Sequence, residues 1–231
     1  MMPEMCYHKR MGNTVGSTST NFCNFFSDEQ DAYILGLLCA EKYSWSSSIG
    51  LSNTDPDLLE KFASFSRKLF PVERLKLRIY YPTKVDWKID KKILNLVSGV
   101  IKRPNKKAKK VGYHLYVNSR PLLREFIAAA SRLSDLKDTK IIQAYFAGRF
   151  DGDGSIDKNL RNDCRIVYTR ESEAKIDKRL IKRIGVNNTK IYYYRTSNTF
   201  CLYISRYEVN KFLESILPYS LKLQKLVTCT P

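Results

Sequence analysis

The side chains best suited to chemistry lie in two stretches, ILGLLCAEK from Ile34 to Lys42 and FAGRFDGDG from Phe146 to Gly154. Each places a glycine third and an acid eighth, so Gly36 pairs with Gly148 and Glu41 with Asp153, both 112 positions apart. A glycine inside a helix costs about 1 kcal/mol relative to alanine. Close approach of two helix backbones is the usual compensation. Helices packed through these glycines would bring their C-terminal ends together, and Glu41 and Asp153 with them. Two adjacent carboxylates repel unless a cation lies between them. Oxygen donors without histidine or cysteine favour Mg²⁺. Paired acids with a divalent ion, in a basic chain, point to phosphodiester hydrolysis.

Asp151, Asp153 and Ser155 also fit the first, third and fifth positions of a calcium-binding loop. Such a loop needs glycine at its sixth position and glutamate at its twelfth. Here those positions hold Ile156 and Asn162, and the first stretch has no such loop. The carboxylate-pair reading explains both stretches.

Forty Lys and Arg against 23 Asp and Glu give a formal charge of +17, which points to a polyanionic partner, nucleic acid first. No run of 18 apolar residues suggests a membrane span, and the N-terminus lacks the apolar core of a secretory signal. The six cysteines form no CxxC pair and there are two histidines, which argues against a zinc cage. Reduced thiols in an intracellular compartment follow, whether organelle, nucleus or prokaryotic cytoplasm.

The elements that must position the acids occur twice. Residues 1–26 read as a mobile tail, 27–136 as a first half and 137–231 as a second. Helices are expected after a Ser27 cap, after Thr54 or Asp55, over RPLLREFIAAASRL, over TKIIQAYFAGRFDG, over ESEAKIDKRLIKRIG up to Gly185, and over RYEVNKFLESIL up to Pro218. Strands are expected at SSSIGLSN, RLKLRIYY, GYHLYV and CRIVYTR, with a hairpin of TKIYYYRT and FCLYIS around Ser197–Asn198. The basic segment KRPNKKAKK reads as a phosphate-neutralising or flexible loop.

FAGRFDGDG, with ILGLLCAEK as a weaker copy, resembles the motif of the LAGLIDADG homing endonucleases of the monomeric two-motif type. In the first copy Cys39 replaces the first acid and Lys42 the last glycine, while Glu41 keeps the acid. The resemblance implies an α+β fold of two pseudo-symmetric αββαββα halves, joined through the motif helices, each with a curved antiparallel DNA-binding sheet. It implies a site-specific endonuclease, intron-encoded, that cuts both strands of a long asymmetric duplex and leaves 3′ overhangs. Glu41 and Asp153 would be catalytic and, with their neighbours Ala40 and Gly152, would hold Mg²⁺, with Mn²⁺ or Ca²⁺ able to occupy the same site. Lys137 and Lys222, shortly after the turn that ends each half's third helix, would also be catalytic, stabilising negative charge at the scissile phosphate or helping to orient water.

Strand alternation puts Arg74, Lys76, Arg78 and Tyr80 on one face of the first half. In the second half it groups Arg165 with Thr169, and Lys190 with Tyr192 and Tyr194, with Arg195 at the hairpin turn. Which face of KIYYYRT meets DNA stays open, because both faces carry tyrosine. Duplex DNA is the expected partner, and intron RNA the alternative. An RNA maturase or a DNA-binding regulator on the same scaffold would need no acid pair.

Overall fold

The computed structural model describes residues 24–40, 47–83, 88–157 and 163–228. Contacts sort these into two units. One holds residue 24 with 47–83 and 88–127; the other holds 25–40 with 128–228. Glu41 lies outside the described residues, as do residues 1–23 of the expected tail. Phe25, by contrast, is buried, and the Arg132 guanidinium lies 5.8 Å from the Phe26 ring centre.

The first unit is built on a four-stranded sheet in the order β1-β4-β2-β3, from strands β1 (Ser48–Asn53), β2 (Leu75–Pro82), β3 (Gly99–Asn105) and β4 (Gly112–Asn118). Helix α2 (Pro56–Leu69) starts where Asp55, not Thr54, accepts from Asp57 N at 2.9 Å. It buries Leu58, Leu59, Phe62 and Phe65 against one sheet face. The short α3 (Lys91–Leu94) follows β2, and α4 (Arg120–Ser131) follows β4. β1, β4 and β2 pair antiparallel. β3 pairs parallel to β2. It takes up Lys102, Arg103 and Pro104 of the segment expected to be a loop. Proline is tolerated there because β3 is an edge strand, where a missing N–H breaks no ladder.

The second unit holds both motif helices, α1 (Glu29–Ala40) and α5 (Thr139–Asp153). Its sheet runs β5-β6-β8-β7, all antiparallel, from β5 (Gly154–Asp157), β6 (Asp163–Tyr168), β7 (Thr189–Tyr194) and β8 (Thr199–Ile204). α6 (Glu171–Leu180) ends in a 3₁₀ turn closed by Gly185, whose φ of 83° suits a residue without Cβ. α7 (Val209–Ile216) and α8 (Leu221–Thr228) complete the chain. The second half therefore reads αββαββα, followed by α8.

α1 is apolar on all sides and buried on all sides, from Ala32 to Leu38 and again at Ala40. Its N-terminus is capped by Asp28, which accepts from Asp31 N at 2.7 Å; Ser27 instead donates to the Asp31 carboxylate. Asp138 caps α5 in the same way, accepting from Lys140 N at 2.8 Å. Among the described residues no helix is long and apolar enough to cross a membrane.

Candidate active site and nucleic-acid interface

α1 and α5 run parallel and touch along their backbones. A Cβ on Gly36 would lie 2.0 Å from Tyr145 O, and one on Gly148 would lie 2.0 Å from Tyr33 O. Each glycine therefore faces the main chain of the other helix, which no larger residue would permit at this separation. Toward the C-terminal ends the approach persists, and a Cβ on Gly152 would lie 2.3 Å from Ala40 Cβ. Helix C-terminal carbonyls lack intrahelical partners and carry the negative end of the helix dipole. Asp153 closes α5 at this meeting point and is half-buried.

Lys222 lies at the same end. Its Nζ donates to Phe150 O at 3.1 Å and to Gly154 O at 2.9 Å, on either side of Asp153, and sits 5.2 Å from the Phe150 ring centre. The ammonium thus satisfies carbonyls of the last turn and offsets the dipole there. Lys137 is elsewhere. It precedes Asp138, the N-cap of α5, so the 15-residue helix puts about 21 Å of axial rise between that end and Asp153. The structure therefore does not bring Lys137 to Asp153: the turn after α4 leads into the start of α5 and not back to its end.

Asp151 is 2% exposed and organises this end of α5. Its carboxylate accepts from Tyr33 Oη at 2.7 Å, Leu221 N at 2.7 Å, Lys222 N at 3.3 Å and the Ser220 hydroxyl. It therefore ties α1, α5 and the start of α8 together. Burial pushes its pKa above the ordinary carboxylate value, against the pull of those donors. α8 was not expected from sequence, although Ser220 followed by LKLQKL is a serviceable start signal.

Residues 140–217 match the model of a family described as LAGLIDADG-like domain. The chain carries a LAGLIDADG-like domain. Its fold is that of the homing endonuclease I-DmoI. A structure of I-DmoI in complex with DNA and Mn is 20% identical, with a TM-score of 0.56 over 84% of this chain and 98% of that one. One in complex with DNA and Ca is 19% identical, with a TM-score of 0.58 over 89% and 99%. The full-length DUF199/WhiA from Thermatoga maritima is 18% identical, with a TM-score of 0.56 over 90% of this chain and 61% of that one. No curated protein matches the chain significantly.

The two matched stretches differ two positions before their acids. Cys39 stands where Asp151 stands, and Tyr145 stands where Tyr33 stands, each offset by 112. Tyr33 donates to Asp151, but Tyr145 donates to Asp177 on α6, at 3.0 and 3.2 Å. Tyr168 also donates to Asp177, at 2.8 Å, and Arg149 Nε lies 3.4 Å from it. The Arg149 guanidinium sits 4.3 Å from the Tyr168 ring centre. All four side chains are buried, and burial also pushes the Cys39 thiol up to about 12. Sequence reasoning missed this network, although a lone arginine inside an apolar motif helix was its signal.

The second sheet's open face carries Arg165, Lys190, Tyr192 and Tyr194 around a depression of about 430 Å³. Register groups the residues of β7 with their neighbours: Lys190 pairs with Tyr203, itself opposite Arg165, so these residues share a face. Tyr193 points the other way, 5.0 Å from the Phe200 ring. Arg165 is held by Asp163 at 3.1 Å and Asp157 at 3.2 Å. Thr169 and Arg195 are exposed, beyond β6 and at the β7–β8 turn. In the first sheet Lys76, Arg78 and Tyr80 share the open face. Arg74 precedes β2 in a 3₁₀ turn and donates to Asn118 O at 2.7 Å, so the strand alternation does not extend to it.

Proposed function

We propose that the protein is a site-specific DNA endonuclease that hydrolyses a phosphodiester on each strand of a long asymmetric duplex, with divalent metal, leaving 3′ overhangs. The observation that carries this reading is the backbone contact of α1 and α5 through Gly36 and Gly148, with Asp153 at their joined C-terminal ends. A net charge of +17 and open sheet faces bearing Lys, Arg and Tyr suit a duplex partner. Glu41, the next residue after the described end of α1, is the second acid of the proposal.

The donors present fit a hard divalent ion. Asp153 contributes a carboxylate, and Ala40 and Gly152 contribute main-chain oxygens where the two helices end. Among the described residues no group of three His, Cys, Asp or Glu could hold a metal by itself; phosphate oxygens and water would complete the coordination of Mg²⁺, Mn²⁺ or Ca²⁺. A bound ion would supply Lewis-acid stabilisation of charge at the scissile phosphate. The chain's own residues do the rest. Asp153 and Glu41 would hold the ion. Lys222 holds the last turn of α5, and so the direction of Asp153. Asp151 fixes the loop that delivers Lys222. The sheet faces orient the duplex and exclude other sequences. The protein acts as a monomer encoded within an intron.

Cys39 in place of an acid, and a fold shared with DUF199/WhiA, favour a second reading: a DNA-binding regulator or RNA maturase that cuts nothing. Selection of cleaved ends from a randomised duplex library, with Mg²⁺ and with EDTA, separates the two. The nuclease reading expects Mg²⁺-dependent double-strand ends with 3′ overhangs at one recurring sequence. Enrichment by binding with no cleaved ends in any divalent ion would replace it with the second reading.

A further inference from the structure

The open face of the first sheet carries a cluster that the alternation of β2 alone did not reveal. Across the sheet, Ser52 on β1 lies opposite His114 on β4, and His114 opposite Arg78 on β2. Ser52 Oγ is 2.7 Å from His114 Nδ1. The His114 ring stacks on Tyr116 with centres 5.1 Å apart, and the Arg78 guanidinium sits over the same tyrosine at 5.3 Å. Arg78 Nη1 also donates to Tyr80 Oη at 3.3 Å. Aromatic stacking and one hydrogen bond thus fix the planes of both side chains.

No carboxylate pairs with Arg78 among the described residues, and its Nε has no hydrogen-bond partner. The contrast with Arg165 of the second sheet, clamped by Asp157 and Asp163, is direct. Room exists beside the cluster. Gly112 faces Tyr80 and Gly99 faces Lys76 across the ladder, and a Cβ on either glycine would meet nothing within 4 Å. The backbone there can come close to a ligand. Burial and the Arg78 charge lower the His114 pKa. The Ser52 hydroxyl anchors the ring through Nδ1.

Arg78 then presents only donors, in a fixed plane. The major-groove edge that offers only acceptors is guanine, through N7 and O6. We infer that Arg78, held in its plane by Tyr80, by Tyr116 and by the His114 ring that Ser52 anchors behind Tyr116, reads one G·C pair of the target duplex through the guanine major-groove edge. This rests on the DNA-binding reading above. Arg78 forks onto N7 and O6, and His114 is a positioning residue that fixes the tyrosine on which the guanidinium lies.

The test is selection of bound duplexes from a randomised library by the full chain, by Arg78→Lys and by His114→Ala. The wild type is expected to require one guanine that Arg78→Lys and His114→Ala both relax, by about tenfold or more, with other positions unchanged. Lysine keeps the charge but not the fork, so its salt dependence stays near wild type while guanine preference falls. A 7-deazaguanine at that position should weaken wild-type binding and leave the Arg78→Lys variant nearly indifferent. Unchanged base preferences in both variants, or relaxation at two unrelated positions, overturn the inference while leaving the DNA-binding reading intact. If the wild type enriches no sequence, both fall.

Discussion

Replacing Gly148 by alanine tests the helix contact on which the candidate site depends. The added Cβ would stand 2.0 Å from Tyr33 O and 2.7 Å from Leu37 N. A carbon needs about 3.3 Å from a carbonyl oxygen, so α1 and α5 must separate by about 1.3 Å at the crossing. The obstructing atoms are backbone, with no flexible side chain to swing aside. Overpacking of this kind costs about 1–3 kcal/mol, and a forced backbone shift belongs at the upper end. Alanine regains about 1 kcal/mol in helix propensity. The net loss is about 2 kcal/mol, which for a chain of this size lowers Tm by about 4–8 °C. Thermal unfolding followed by circular dichroism measures it, with Gly99→Ala as the control, since its Cβ would meet open space. Gly36→Ala should behave as Gly148→Ala does, and the double variant should lose less than the sum, because both relieve one crossing. A Gly148→Ala protein that melts at or above the wild-type temperature would refute the reasoning.

Three further outcomes follow from the same contacts. Asp177→Ala strands the buried Arg149 charge and two tyrosine hydroxyls, so stability should drop by about 3–5 kcal/mol in urea unfolding. Lys222→Met removes two hydrogen bonds from the last turn of α5; cleavage should slow by more than tenfold with DNA affinity within about threefold, read by single-turnover kinetics. His114 has its folded pKa below the ordinary value of 6.5, so folding favours its neutral form. That contribution is complete above pH 6.5 and is lost as pH falls through the folded pKa. Tm of the wild type should therefore decline between pH 7 and 5 more than that of His114→Gln.

Much of the fold was legible because it follows from local pattern. The matched glycines and acids announced two alike helices, and Asp-rich starts and Gly185 marked helix ends. Alternation at Leu75, Leu77 and Ile79 assigned the buried face of β2 correctly. What escaped was set by tertiary contact. β3 contains Lys102, Arg103 and Pro104, poor strand formers held only because β2 offers an unpaired edge. The two faces of β7 carry tyrosine alike, so only pairing with β8 distinguishes them. Lys137 and Lys222 follow similar turns in sequence, yet one enters the start of α5 and the other returns to its end. Arg149 looked like one more basic residue of a basic chain, and its partner Asp177 lies 28 positions away on another helix.

The central claim is that Asp153, at the joined ends of α1 and α5, is an acid of phosphodiester hydrolysis. Single-turnover cleavage of a duplex recovered from the library, by wild type and Asp153→Asn in Mg²⁺, tests it most directly, with binding of the same duplex measured in parallel. The account predicts that the variant binds the duplex about as tightly as wild type and loses cleavage by at least a hundredfold. An Asp153→Asn protein that cuts both strands at the wild-type rate would contradict it.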